Sequence, residues 1–481
     1  MSSLKEKTAS GLLWSALNSG LMQLLNAVIG VFLARLLLTS DYALVGMVTI
    51  FSAIATTIQE CGFTSALTNL DHPTDRDYNS VFWFTTLMSI FLYTVLFFCA
   101  PLIADYYRQP KLVALSRVSF LSILAAGLGT VPHAYLYRNM IIKETTLLRG
   151  GALLVSGIVG ITMAFMGMAY WSLVVQQLTY ITITSVGKFW LVPWRPSLQI
   201  DFGPVRKMFG FSSKILVPNL INQVSQNILT VIFGRIFPVG MVGNFTQAWK
   251  WNNMASGTVV GMLGQVAQPV FSTLQHAPEE RQAAALRKMV RFTSFLTFPL
   301  MFGLAFVAYE FIILLISEKW IDSVPILQLL CLGGAFLALY QPLQNFVISH
   351  GRSDLFMWTN ISQLMVQLAV ILMLHRQGIL VMVGVYSAIT ALWTFVWYHW
   401  VARIIHYRLL DFLKDTMPFL LATVVGIAIA SIPVYFVHGL LLRFIIKVVV
   451  VALVYVGIMR LAGAQIMKES INYLLHRKTQ G

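Results

Sequence analysis

The chain has 481 residues, 58% hydrophobic and 11% charged, with a mean hydropathy of +0.76 and a formal net charge of +15. Soluble domains carry roughly a quarter charged residues, so this composition excludes a soluble fold. The excess of Lys and Arg serves either nucleic-acid binding or membrane orientation, and its distribution decides between them.

A membrane-crossing helix needs about 20 mainly apolar residues, and such runs follow one another almost from end to end. We read about fourteen, at 10–37, 42–63, 79–104, 113–137, 147–167, 170–190, 208–235, 240–270, 291–316, 324–348, 355–374, 379–402, 415–436 and 441–461. The runs are long and continuous, without the period-two alternation of barrel strands, so the expected class is an all-α membrane protein. Met1 to Ser10 is a short basic head without a small-residue cleavage site, and the first span is expected to be retained.

With the amino terminus inside, 22 of the 33 Lys and Arg fall on the cytoplasmic side, among them Arg138, Lys143, Arg195, Arg206, Lys207, Arg287, Arg291, Arg408 and Lys414. The basic excess is therefore topological, no nucleic-acid partner is implied, and both termini are expected in the cytoplasm. Cys61, Cys99 and Cys331 lie in or beside apolar helices without paired spacing, and the histidines are scattered. Neither pattern suggests a metal site or any cofactor.

The first half and the middle of the chain echo one another at an offset of 200 residues. Ala34-Arg35-Leu36 ends the first span and Gly234-Arg235-Ile236 the seventh. Ser15, Asn18, Met22 and Asn26 share a face of the first, and Asn219, Asn222, Gln223 and Gln226 a face of the seventh. Thr49, Ser52 and Thr56 correspond to Trp249, Asn252 and Ser256. The expected organisation is a six-helix bundle over 1–200, a second over 201–405, parallel in orientation, and a terminal helix pair over 406–481.

No glycine-rich phosphate loop is present, and the outer loops are a few residues long, too short for a catalytic constellation. Catalytic residues are therefore not expected; polar stripes that avoid lipid by lining a cavity between two bundles fit a transporter. Such residues also bond across helix interfaces, which is their bland explanation. Gly257-Thr258-Val259-Val260-Gly261 reads as a helix-packing motif, and Trp14, Trp83, Trp171, Trp320 and Trp400 as interface anchors. Lys214, Lys250 and Arg117 are the deepest basic residues, unless they snorkel to an interface. Glu60, one turn beyond Thr56, is either an ion-coupling carboxylate or a helix-end one, and Glu310 and Asp105 read as solvated near outer helix ends.

The stretches DYNSVFWF from Asp77, LYTVLFFCAPLIADYY from Leu92, WSLVVQQL from Trp171, WRP from Trp194, FGFSSKILV from Phe209, QPVFSTLQ from Gln268, EKWIDSVPILQLLCL from Glu318 and GRSDLF from Gly351 resemble polysaccharide exporters of the colanic acid and teichuronic acid type. That family belongs to the multidrug/oligosaccharidyl-lipid/polysaccharide superfamily. The resemblance implies a two-lobed, V-shaped helical transporter of the bacterial inner membrane that moves undecaprenyl-diphosphate-linked oligosaccharide without ATP hydrolysis, working among membrane lipids with polysaccharide polymerase and glycosyltransferases. Where relatives commonly carry Tyr-Asn-Arg-Ala-Gln, this chain reads Asn244-Phe245-Thr246-Gln247-Ala248-Trp249, so no site is carried over there. For such a cargo, Arg35, Arg117, Lys214, Arg235 and Lys250 are the candidate basic lining for the diphosphate, and Asn252, with Gln247, Trp249 and Trp251, a candidate sugar contact. A multidrug exporter of the same fold, which favours an acidic cavity, and a membrane glycan ligase or polymerase are the competing readings.

Overall fold

The computed structural model describes residues 20 and 22–462, and every described element of regular structure is helical. In chain order the helices are α1 (Met22–Leu36), α2 (Thr39–Glu60), α3 (Phe63–Asn69), α4 (Asp75–Tyr107), α5 (Leu112–Ser119), α6 (Leu121–Arg138), α7 (Ile142–Phe165), α8 (Trp171–Leu191), α9 (Gly203–Ile236), α10 (Val239–Leu274), α11 (Glu279–Phe311), α12 (Ser323–Ser349), α13 (Ser353–Met373), α14 (Ile379–Ala402), α15 (Leu409–Tyr435) and α16 (Leu440–Leu461). Among the described residues, ten helical stretches are long and apolar enough to cross a membrane, from Thr39–Asn69 to Leu440–Leu461. The expected first, sixth, seventh and eighth spans fall on α1, α8, α9 and α10, which are not among those ten. Polar residues explain most of the shortfall. Gln176, Gln177 and Lys188 dilute α8; Lys214, Asn219, Asn222, Gln223 and Gln226 dilute α9; Asn244, Gln247, Lys250, Asn252 and Asn253 dilute α10.

Helix starts follow local chemistry. The Asp41 carboxylate accepts from the Leu38 amide at 2.9 Å before α2, and Thr74 and Asp77 cap one another across the first turn of α4. The α2–α3 corner requires glycine at 62. Its φ is +70°, and a Cβ there would stand 2.8 Å from the Ser212 carbonyl oxygen of α9. Prolines lie inside α4, α6, α9, α11, α12 and α15, as membrane helices tolerate.

The chain divides into two compact units that meet in sequence within α10, one up to Thr246 and one from Gln247. In the first, α2 packs on α9, α4 on α6, and α8 on α6 and α7. Phe63, Leu67, Tyr78, Phe82, Val131 and Trp194 form its core beside α3. In the second, α12 is the most enclosed helix, packed between α11 and α14, and the terminal pair α15–α16 lies on α11.

Three expectations change here. Gly257 and Gly261 face open space and support no helix packing. Trp320 is fully buried, enclosed in the turn before α12 instead of anchoring at an interface. Glu310 is buried and ion-paired instead of solvated, because two cations of α16 reach it.

Candidate functional site

The two corners that echo one another in the sequence stand at matching positions in the backbone. Helix α1 ends at Leu36 and α2 begins at Thr39; α9 ends at Ile236 and α10 begins at Val239. Both corners leave two residues, 37–38 and 237–238, and place Arg35 and Arg235 one residue before the helix end. Within the first unit, α2 meets the start of α10 where side chains vanish. A Cβ on Gly46 would lie 3.0 Å from Thr246 Oγ1, and one on Gly243 would collide with the Thr39 carbonyl. Residues 46 and 246 are equivalents under the offset.

Three residues of the α9 polar stripe are exposed. Asn219, Asn222 and Gln226 all lie open on α9, within an arc of about 60° at 100° per residue. Gln223 is half-buried beside them, and Asn26 is exposed on α1, its amide donating to the Met22 carbonyl at 2.9 Å. Ser15 and Asn18 lie outside the described residues. The α2 stripe differs, since Thr49 and Thr56 donate to Val45 and Ser52 carbonyls at 2.9 and 2.8 Å within their own helix.

On α10 the polar residues turn inward. Gln247 is fully buried and neither amide atom has a protein partner; Asn252 Oδ1 and Trp251 Nε1 are likewise unpartnered. Each such atom costs about 1–3 kcal/mol unless water or a ligand satisfies it. Asn252 lies against Gly334, where a Cβ would stand 2.6 Å from its oxygen. Trp249 meets Tyr386 edge-on at 5.9 Å, and Trp251 meets Phe311 at 5.1 Å.

The candidate charges are dispersed. Arg35 is exposed at the α1 end and Lys214 exposed on α9. Arg235 donates to the Tyr106 carbonyl at 2.5 Å with its guanidinium 5.5 Å from the Tyr106 ring centre. Arg117 is half-buried, 4.2 Å from the Phe97 ring centre. Lys250 is half-buried, 6.0 Å from the Trp251 ring centre. Glu60 is the last residue of α2, where its charge acts on Lys188 together with that of Arg149.

Sequence reading missed two buried carboxylates. Asp415 has no exposed side-chain surface and accepts from Arg287 Nε at 2.8 Å, Arg291 Nε at 2.5 Å and the Tyr407 hydroxyl at 3.0 Å. Glu310 is 1% exposed, with Lys447 Nζ at 2.7 Å and Arg443 Nε at 3.9 Å. Lys447 also donates to the Phe306 carbonyl at 3.1 Å. From Arg287 to Glu310 α11 rises about 35 Å, close to the roughly 30 Å hydrocarbon core, so the clusters bracket the part of α11 that crosses it. The available signal was spacing: Arg287 with Arg291, and Arg443 with Lys447, share helix faces at i, i+4.

Comparison with known proteins fits this architecture. The teichuronic acid biosynthesis protein TuaB of Bacillus subtilis (strain 168) is 24% identical over 434 residues, 89% of each chain. The lipopolysaccharide biosynthesis protein WzxC of Escherichia coli (strain K12) is 24% identical over 73% of this chain and 72% of its own. The succinoglycan biosynthesis transport protein ExoT of Rhizobium meliloti (strain 1021) is 22% identical over 86% of this chain and 82% of its own. Among solved structures, the lipid II flippase MurJ in an inward closed conformation superposes with a TM-score of 0.73 at 16% identity, over 94% of this chain and 98% of that one. An inward-facing multidrug resistance MATE family transporter of the MOP superfamily gives 0.64 at 16% identity, over 80% of this chain and 94% of that one. The polysaccharide biosynthesis protein model matches residues 32–325, more than half of the sequence, and this multi-pass membrane protein belongs to that family.

Proposed function

We propose that the chain is a flippase, moving lipid-linked oligosaccharide outward across the bacterial inner membrane for surface polysaccharide assembly, with no catalytic step of its own. The observation that carries this is the exposed stripe Asn219, Asn222 and Gln226 on a 34-residue helix. Helix α9 is about 50 Å long, more than enough to cross the bilayer. An amide stripe that is neither packed against its own unit nor tolerable to hydrocarbon must face water along the crossing path. A glycan needs such a path, since each polar group stripped of hydrogen bonds costs roughly 2–7 kcal/mol.

In this reading α1, α8, α9 and α10 cross as well, giving fourteen crossings, two six-helix bundles over 1–200 and 201–405 in a V-shaped transporter, a terminal pair over 406–481 and both ends in the cytoplasm. The cargo is undecaprenyl-diphosphate-linked, with polymerase and glycosyltransferases as functional neighbours. Lys214 and Lys250, with Arg35, Arg117 and Arg235, supply positive charge for the diphosphate; Asn252 contacts sugar, and Glu60 is the candidate for ion coupling. An inside-negative potential assists an outward-moving anion by about 2.3 kcal/mol per charge per 100 mV.

The test is flipping of a fluorescent lipid-linked oligosaccharide in proteoliposomes. Replacing Asn222 and Gln226 together by Leu removes two hydrogen-bonding side chains worth about 1 kcal/mol each, and is expected to slow flipping roughly 10- to 30-fold at unchanged insertion. Lys214→Gln and Lys250→Gln are expected to slow it as well. Wild-type rates in the Leu double variant at normal protein levels would overturn the reading of the stripe.

A further inference from the structure

The segment 192–202 between α8 and α9 contains no regular structure, yet residues 197, 199 and 201 are fastened to α4. The Asn79 carboxamide accepts from the Ser197 amide at 2.9 Å and donates to the Gln199 carbonyl, while Trp83 Nε1 donates to the Ser197 carbonyl at 2.7 Å. Arg76 reaches the Asp201 carboxylate at 2.5 Å. The three α4 residues, Arg76, Asn79 and Trp83, share one face at i, i+3 and i+7. Residues 197, 199 and 201 are therefore held, and three apolar residues alternate with them. Those are Leu198, Ile200 and Phe202, and they are 87%, 54% and 42% exposed. A loop in water would carry polar groups there.

The location says what covers this apolar row. The fastening points occupy the first two and a half turns of α4, a 33-residue helix about 50 Å long against a hydrocarbon core of about 30 Å, and the charged Asp75, Arg76 and Asp77 of its first turn put this end in the head-group layer. Beyond the row, the first turns of α9 expose Arg206 and Lys207 together with Phe209 and Phe211. Apolar side chains flanked by cations in the head-group layer match an anionic bilayer surface, with hydrocarbon below and phosphate beside.

We infer that the 192–202 strap and the first turns of α9 form a preorganised binding surface for anionic phospholipid, with Leu198, Ile200 and Phe202 inserted at the acyl boundary and Arg206 and Lys207 on phosphates. Because Asn79, Trp83 and Arg76 hold the backbone, binding orders no loop, which removes an entropic cost that a flexible loop would pay.

The test uses the full chain, with Cys61, Cys99 and Cys331 replaced by Ala, carrying a nitroxide at one of L198C, I200C, F202C, or at the held positions S197C or Q199C. Collision with oxygen and with a water-soluble nickel complex is compared in phosphatidylglycerol-containing and pure phosphatidylcholine vesicles. Oxygen collisions are expected to dominate at 198, 200 and 202 in the anionic vesicles, with nickel favoured at 197 and 199. Raising salt from 0.1 M to 1 M, which shortens the screening length from about 10 to 3 Å, is expected to move the three labels toward water, as is R206Q/K207Q. Nickel-dominated collisions at 198, 200 and 202 in both lipids would overturn the inference. Equal burial in both lipids, insensitive to salt, would overturn its anionic part, and protection that appears only on adding a protein partner would assign the surface to that partner. Fastening is checked separately in the same cysteine-free chain with Arg206 and Lys207 retained, where N79A is expected to raise label mobility at 198; unchanged mobility removes the preorganisation.

Discussion

The Glu310 cluster gives the sharpest energetic prediction. The carboxylate is 1% exposed and lies 2.7 Å from Lys447 Nζ, whose side chain is 10% exposed. Arg443, at 3.9 Å and 37% exposed, is a weaker partner. Removing one member of a buried pair strands the other without solvent, at a cost of roughly 3–5 kcal/mol, whereas removing both is often close to neutral. Glu310→Gln keeps the shape and takes the charge, leaving the Lys447 ammonium with neutral acceptors only, the Phe306 carbonyl and the amide oxygen at 310. The expected loss is about 3–5 kcal/mol for Glu310→Gln and for Lys447→Met, and about 1 kcal/mol for the double variant, a coupling of several kcal/mol. For a domain the size of the second unit, each kcal/mol moves Tm by roughly 2–4 °C, so the single variants should melt about 6–20 °C lower. Thermal unfolding in nanodiscs, followed by helical circular dichroism, measures all three. Single variants within 2 °C of wild type, or strictly additive losses, would refute the reasoning, because a solvated or screened pair contributes only about 0–1 kcal/mol.

The Asp415 cluster should behave alike at the other end of α11: Asp415→Asn abandons Arg287, Arg291 and Tyr407, and limited proteolysis near the start of α15 should become faster. At the α2–α10 crossing, Gly243→Ala drives a methyl into the Thr39 carbonyl, which cannot turn aside, and should cost about 1–3 kcal/mol in unfolding. Gly46→Ala meets the Thr246 side chain, which can rotate, so its loss should be smaller in the same melt. The Gly203 amide, and then Arg76, hold the Asp201 carboxyl below the usual carboxylate range. A depressed folded pKa stabilises above the unfolded value of about 3.9 and loses that contribution as pH falls through the folded one. Label mobility at 198 should therefore rise only in acid below about pH 4 in the wild type, and at every pH in Asp201→Asn.

What the sequence made legible, and what it hid, divides along a physical line. Apolar runs and the 200-residue echo are local or periodic, so the helical class and the corners at Arg35 and Arg235 were readable, and the corners fall at the same register in the structure. The exposed amides of α9 were readable because three of them recur on one face, a pattern that survives without coordinates. Pairings between distant helices leave no such trace. Glu310 and Lys447 are 137 residues apart, and Arg287 and Asp415 are 128. A carboxylate near a helix end carries the same letter whether it is solvated or enclosed, and only the arrival of α15 and α16 on α11 decides which. Gly257 and Gly261 err in the opposite direction. Their spacing satisfies the rule for close helix contact, yet nothing lies within 4 Å of where their Cβ atoms would be. Small residues allow approach without compelling it. On α10 these open glycines follow the buried Gln247 and Asn252, so one helix carries both the unpartnered amides and the residues with the least side chain.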